Sequence, residues 1–143
     1  MSDAGVLLDT CAVIWLANGD PMAPAALAAI QAAGRGGGIF ISPVSAWEIG
    51  LLSRPKPNRP AAMSFMPDPK TWFARMMAAP GVREAPLTAA IAVDASWLPG
   101  ELHGDPGDRL LIATARDRGL PVVTRDAAIL GYARAGHVTA AAC

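Results

Sequence analysis

Long apolar runs, cysteine, lysine, histidine and any surplus of charge are all scarce in this chain, and each shortage removes a class of function. No apolar stretch reaches the roughly 18–20 residues needed to cross a bilayer, so no membrane-spanning helix is expected. The first residues lack a basic segment followed by an apolar core and a cleavage site, so no secretory leader is expected either. Only two cysteines occur, Cys11 and Cys143. Neither belongs to a metal-binding spacing such as CxxC, and two free thiols in a cytoplasmic protein are the expectation. Twelve basic and twelve acidic residues cancel, which is not the balance of a protein that coats nucleic acid through bulk charge. Only Lys56 and Lys70 are lysines; the other basic residues are arginines. Arginine offers a planar fork suited to phosphate, but a GC-rich genome explains its excess, and the many alanines, without any function. His103 and His137 are the only histidines, no Ser/His/Asp set is apparent, and ordinary surface or structural roles are expected of both.

What is present is a chain of 143 residues, 52% hydrophobic and 17% charged. That suits one folded domain, residues 1–143, with a core large enough to need no staples. Gly5–Asp9 (GVLLD) reads as a buried strand, Ile39–Ile41 (IFI) and Leu120–Thr124 (LPVVT) as further strands, and Val82–Pro86 as a candidate short strand. Between them lie helical stretches. Thr10 is expected to cap one through Ala12–Ala17, stopped by Asn18-Gly19-Asp20-Pro21. Others follow at Ala23–Ala33, from Ser42-Pro43 to about Leu52, at Pro69–Ala79, Thr88–Trp97, Pro106–Arg118 and Asp126–Ala135. Arg54–Pro69 reads as an irregular connection, and His137–Ala142 as either a last strand or a frayed end. Strands alternating with helices predict an α/β fold, a central, mostly parallel sheet with helices on both faces. The Gly34–Gly38 cluster leads into a strand rather than a helix, so it lacks the context of a phosphate-cradling loop.

In such sheets ligands gather beyond the carboxyl ends of the strands. Asp9 closes the first strand there, Asp126 follows LPVVT by two residues, Glu48 lies about two turns into the helix after IFIS, and Asp108 lies in the first turn of its own helix. Each acid has a plain alternative. Asp108 sits third in a helix capped by Asp105, Ser45-x-x-Glu48 resembles a capping box, and Asp126 stands where an N-cap would. Asp9 is harder to explain away, because a carboxylate at the end of a buried strand needs a partner. Asp108 shares its helix face with Leu111, Ile112 and Ala115, and Glu48 with Val44, Leu51 and Leu52, so both project inward. Several inward carboxylates at one edge repel one another unless a cation sits among them. Oxygen ligands suit Mg²⁺ or Mn²⁺, and a metal so held would act on a phosphate oxygen in an in-line displacement.

Four blocks, LLDTCAVIWL (Leu7–Leu16), ISPVSAWEIGLL (Ile41–Leu52), LPGELHGDPGDRLLIATA (Leu98–Ala115) and VVTRDAAI (Val122–Ile129), resemble the PIN-domain ribonucleases, and more narrowly the VapC-type toxins of type II toxin–antitoxin systems. The resemblance covers nearly the whole chain. It implies Mg²⁺- or Mn²⁺-dependent endoribonuclease activity, often on tRNA or ribosomal RNA. It also implies inhibition by a cognate VapB-type antitoxin, and a homodimer. By position, Asp9, Glu48, Asp108 and Asp126 match the family's acids, as metal ligands and catalytic groups. Thr10 and Thr124 match positions where a hydroxyl can hold water near the metal. Two departures stand out: Gly107, where the family often has a large residue, and His103-Gly104, where it often has His-Arg or His-Lys. Arg54, Arg59 and Arg109 are the candidates for phosphate contacts. Two other classes are weaker. A phosphorelay receiver or phosphatase would need a lysine beside its acids, and Lys56 and Lys70 lie in or just after the irregular region. A binding module that has lost activity finds no support, since all four acids are present.

Overall fold

Three strands carry the core because every residue in them is apolar or small and buried on both sides. In the computed structural model, which describes residues 4–143, these are β1 (Val6–Leu8), β2 (Ile39–Ile41) and β4 (Val122–Thr124). The flanking strands β3 (Val82–Glu84) and β5 (Ala140–Ala142) are partly exposed, as befits edges. Residues 1–3 of the expected 1–143 domain lie outside the described residues. The strand order is β3-β2-β1-β4-β5, and every neighbouring pair is parallel. The sheet expected to be mostly parallel is therefore parallel throughout. The segment left open between strand and frayed end is β5, paired with β4 from Val122 opposite Ala140 to Thr124 opposite Ala142.

Seven helices connect these strands among the described residues: α1 (Thr10–Asn18), α2 (Pro24–Arg35), α3 (Pro43–Ser53), α4 (Pro69–Met77), α5 (Ala89–Ser96), α6 (Pro106–Arg118) and α7 (Ala127–Arg134). Alternation along the strands sends successive side chains to opposite faces. Val6, Leu8, Ile39, Ile41 and Val123 join one apolar cluster with residues of α1, α2 and α3, including Val13, Ile30 and Ile49. Leu7, Phe40 and Val122 join another with Leu111, Ile112, Ile129 and Tyr132 from α6 and α7. Both faces of the sheet are thus covered. Segment 54–68 contains no helix, but Lys56 and Arg59 exchange two backbone hydrogen bonds across a tight turn.

The helix starts show what local chemistry sets. Ser42 caps α3 through Val44 N–H, Asp68 caps α4, Thr88 caps α5 and Asp105 caps α6. At α1 the expected capping residue is corrected. Asp9, not Thr10, accepts the Ala12 N–H at 2.8 Å, and Thr10 is the first helical residue. The acid wins because a carboxylate at the strand's end already faces the helix's free N–H groups. α6 ends at Gly119, whose φ of 66° is the left-handed conformation that closes a helix cheaply only with glycine.

The strand order fixes where a ligand site must fall. From β1 the chain steps outward to β2 and β3, then returns to β4 on the other side. The order reverses between β1 and β4, and the crevice beyond their carboxyl ends is the natural binding position of such a sheet. Asp9 follows β1 directly, and Asp126 follows β4 by two residues.

Candidate active site

Asp9 and Thr124 are joined across this crevice. Thr124 Oγ1 donates to Asp9 Oδ2 at 2.6 Å, and accepts the Asp126 N–H at 2.9 Å. Asp9 Oδ1 takes the Ala12 N–H. Asp9 is buried, at 7% exposure, and Thr124 is fully buried. Each Asp9 oxygen therefore has one protein donor and keeps lone-pair capacity for a cation. A parallel arrangement holds Glu48. Thr10 Oγ1 donates to Glu48 Oε1, and Ser45 Oγ lies 3.0 Å from the same threonine oxygen, so the serine hydroxyl supplies the donor to Thr10. The Thr10 and Thr124 protons go to Glu48 and Asp9, so both threonines position carboxylates; each oxygen keeps a lone pair with which it could also hold water.

The three acids with helix-capping alternatives behave differently from one another. Asp108 does occupy the first turn of α6, with its N–H bonded to Asp105 Oδ1 at 3.0 Å. Glu48 makes no capping box, because Ser42, not Ser45, caps its helix, and its carboxylate is bonded to Thr10. Asp126 occupies the N-cap position of α7 but makes no side-chain capping bond. Its Oδ2 is buried and has no hydrogen-bond partner. A carboxylate oxygen left this way is costly unless a cation completes it.

Asp108, Asp126 and His103 form the tightest group, with one donor atom from each lying within 4.8 Å of the others. Asp9 and Glu48 flank this group and act on it electrostatically. Burial raises the Asp9 carboxyl, the Thr124 and Ala12 hydrogen bonds pull it back, and Asp126 pushes it up further. Burial raises Glu48, the Thr10 bond opposes it, and Asp105 and Asp9 add to the rise. Asp108 is pushed up to about 6, first by burial, then by Asp105 and Asp126. The centre is thus short of positive charge. Arg125 offsets only part of this, at Asp9. Arg125 donates to the Cys143 and Pro21 carbonyls and stacks 3.9 Å above Trp15. Arg109 donates to the carbonyls of Ala95, Leu102 and His103, which corrects its expected role as a phosphate contact: it ties the 97–105 segment to α6.

Two residues left out of the expected site belong to it. Asp105 caps α6 and also adds negative charge beside Asp108 and Glu48. His103 Nδ1 accepts the Asp105 N–H at 3.1 Å, and Nε2 lies 3.3 Å from Asp108 Oδ2. An accepting Nδ1 leaves the ring proton on Nε2, so His103 donates to Asp108 rather than offering it a lone pair. The sequence signal for both is the run His103-Gly104-Asp105-Pro106-Gly107-Asp108, in which Asp105 reads as a helix cap and Asp108 alone as a site acid. Gly107 matters for the same centre. A Cβ there would meet Glu48 Oε2 at 2.9 Å and Asp105 Oδ1 at 3.3 Å. The space that a larger residue would fill is taken by the Glu48 carboxylate.

The donor set is oxygen-rich, anionic, partly dehydrated and contains one orphaned oxygen. Those properties fit a hard divalent cation such as Mg²⁺ or Mn²⁺, held by Asp108 and Asp126 with Asp9 and Glu48 beside them.

Comparison with known proteins agrees with this geometry. A family model described as PIN domain matches residues 6–135. Ribonuclease VapC22 of Mycobacterium tuberculosis is 30% identical over 135 residues, which cover 94% of this chain and 96% of that protein. Among solved structures, VapBC2 from Rickettsia felis, bound to a DNA fragment from its promoter, superposes with a TM-score of 0.68 at 13% identity, covering 96% of this chain and 98% of the matched one. FitAB bound to an IR36 DNA fragment gives a TM-score of 0.53 at 20% identity, covering 96% and 94%. These structures share the fold.

Proposed function

We propose that this chain, which belongs to the PIN-domain family, is a divalent-metal-dependent endoribonuclease and the toxin of a type II toxin–antitoxin pair. The single observation that carries the chemistry is the convergence of Asp108 and Asp126 near the β1/β4 crevice, with Asp126 Oδ2 buried and unpartnered and with Asp9, at the end of β1, raised by the Asp126 charge. The 30% identity to a named ribonuclease over almost the full length of both proteins supports RNA as substrate.

A divalent cation, Mg²⁺ or Mn²⁺, would supply charge neutralisation at the phosphate and a more acidic water. The chain's own residues do the rest. Asp9, Asp108 and Asp126 would hold the cation. Thr124 fixes Asp9 through Oδ2, and Ala12 N–H fixes it through Oδ1, so that carboxylate keeps one orientation. Glu48 is anchored at Oε1 by Thr10 and presents Oε2 to the cleft, where burial makes it a better proton acceptor than a solvent-exposed glutamate. His103 Nε2 holds a proton beside Asp108. Hydrolysis by water at phosphorus leaves a 5′-phosphate and a 3′-hydroxyl.

The partner reading is supported by the two-component assemblies, VapBC2 and FitAB, to which the fold is similar. A cognate VapB-type antitoxin would cover the active-site edge. A short reading frame for a DNA-binding protein directly upstream is the observation that tests this. No helix among the described residues is long and apolar enough to cross a membrane. Action in the cytoplasm, where tRNA and ribosomal RNA are found, follows from the same reading. A homodimer is checked by the mass of the purified chain in solution.

The test of the chemistry is Asp9→Asn. It keeps the side chain's size and one of its two acceptor oxygens but removes the charge. Cleavage and host toxicity are expected to vanish while the thermal transition stays cooperative. Full toxicity of a well-folded Asp9→Asn protein would sink the mechanism.

A further inference from the structure

A cavity of about 500 Å³ opens from the carboxylate centre toward the turn that follows α3. Thr10, Cys11 and Glu48 line it. Leu51, Leu52 and Pro60 are its apolar residues. Arg54, Lys56 and Arg59 are its cations. The turn carrying these cations is held in shape by the paired Lys56 and Arg59 backbones.

The cations of this cavity differ from four arginines elsewhere whose side chains are already committed. Arg109, Arg116 and Arg125 donate to backbone carbonyls, and Arg118 lies over the Phe40 ring. The side chains of Arg54, Lys56 and Arg59 make no hydrogen bond or ion pair among the described residues. Three uncommitted cations thus share one cavity with the Glu48 carboxylate. The cavity's volume lies within the range of pockets that enclose a small organic ligand.

We infer that this cavity is a nucleotide subsite of the RNA strand being cut: Arg54, Lys56 and Arg59 take a phosphate next along the strand from the scissile one, and Leu51, Leu52 and Pro60 take the face of the base between them. This rests on the ribonuclease reading above and adds the direction in which the strand leaves the metal centre. The physical case has two parts. The carboxylate cluster repels a polyanion, so attraction must come from cations set back from it, and these three are the ones that share a cavity with Glu48. Leu51 and Leu52 fall between Glu48 and Arg54 along α3, and against them a base, which has an apolar face and no charge, is the part of a nucleotide that fits. An apolar protein segment with an acidic end would match the same walls, and the experiment separates that occupant from RNA.

The experiment compares the wild-type chain, purified free of any partner, with the triple variant R54Q/K56Q/R59Q. All three positions are exposed, so the fold is expected to persist, checked by an unchanged Mn²⁺-induced rise in melting temperature. Cleavage of bulk cellular RNA is followed across a salt series. A KM raised about tenfold or more, with kcat held within about threefold, is expected from the loss of charge-assisted phosphate contacts. The slope of log(kcat/KM) against log salt should become shallower by about 0.7, the value for one phosphate contact to a single strand. A second readout needs no cleavage. In a C143S background, alkylation of Cys11 by iodoacetamide should be slowed by a mixed-sequence single-stranded RNA, and that protection should disappear in the triple variant. Unchanged KM, salt slope and protection would overturn the inference. So would RNA kinetics equal to wild type together with loss of inhibition by a co-expressed partner, which would make the cavity a protein-docking site. If the wild-type chain cleaves no RNA under any metal, the ribonuclease reading fails, and Cys11 protection alone then decides whether the cavity binds RNA.

Discussion

Asp126→Asn should stabilise the metal-free protein, a result opposite to the usual effect of changing a partly buried polar residue. The carboxylates of Asp126 and Asp108 approach within 4.8 Å. Two unit charges at that separation repel by about 3.5 kcal/mol at an effective dielectric near 20, and by about 0.9 kcal/mol in bulk water. Both groups are partly exposed, so the lower part of that range applies, about 1–2 kcal/mol after solvent screening. Little is lost in exchange. Asp126 makes no capping bond at α7, and its Oδ2 has no donor to forfeit. Asparagine is as good as aspartate at an N-cap. For a chain of this size the gain amounts to a melting temperature about 3–8 °C higher in EDTA at pH 7.5. The assay is thermal unfolding followed by circular dichroism, with and without Mn²⁺. Saturating metal at about a hundred times its dissociation constant stabilises the wild type by about 2.7 kcal/mol. The variant should gain much less, so the ranking of the two proteins reverses when metal is added. A lower melting temperature for Asp126→Asn in EDTA, or an equal metal-induced rise in both proteins, would refute the idea that these acids form a cation site held open by their mutual repulsion.

Three further outcomes follow from the same geometry. Asp9, Glu48 and Asp108 all have raised carboxyls, so the metal-free folded state holds more protons than the unfolded chain between the ordinary carboxylate range and about pH 6. Its stability should be greatest below pH 4 and fall as pH rises through 6, by about 1–2 kcal/mol for Asp108 after allowance for solvent; urea midpoints that rise between pH 4 and 7 in EDTA would contradict this. Gly107→Ala should leave stability within about 1 kcal/mol, because alanine's helical preference offsets the displacement of a flexible Glu48, while cleavage falls at least tenfold; unchanged cleavage would show that the Glu48 position is dispensable. Arg109→Lys should destabilise by about 1.5–3 kcal/mol, since one ammonium cannot replace a guanidinium that serves three carbonyls, and a melting temperature equal to wild type would contradict the tether assigned to it.

How much of this was legible beforehand depended on whether the deciding force was local. VLL, IFI and VVT could be read as strands because a strand buried on both faces is apolar at every position, and the order of the helices between them required a parallel sheet. Pro43, Pro69 and Pro106 marked helix starts for the same local reason, a fixed φ and a missing N–H. The four acids were legible as positions at the strand-exit edge. Their states were not. Whether Asp126 is a cap or an orphan depends on where Thr124 points, and Thr124 is committed to Asp9, a residue 115 positions away. Asp105 and His103 were passed over because their local roles, a cap and a loop histidine, already explained them. Arg109 was read as a phosphate contact because nothing nearby in sequence competes for it; its partner at Ala95 lies fourteen residues back. Alanine-only β5 carried no alternation to read, and its pairing with β4 alone defines it.

Metal-dependent cutting of RNA by the purified chain tests the central claim most directly. The protein, separated from any partner under denaturing conditions and refolded, is incubated with tRNA and ribosomal RNA in Mg²⁺, in Mn²⁺ and in EDTA, and the new ends are mapped. Discrete cleavage that requires the metal, leaves 5′-phosphate and 3′-hydroxyl ends, and disappears in Asp9→Asn is the predicted result. Cleavage that persists in EDTA and leaves 2′,3′-cyclic phosphates, or no cleavage by a folded protein that binds Mn²⁺, would contradict it.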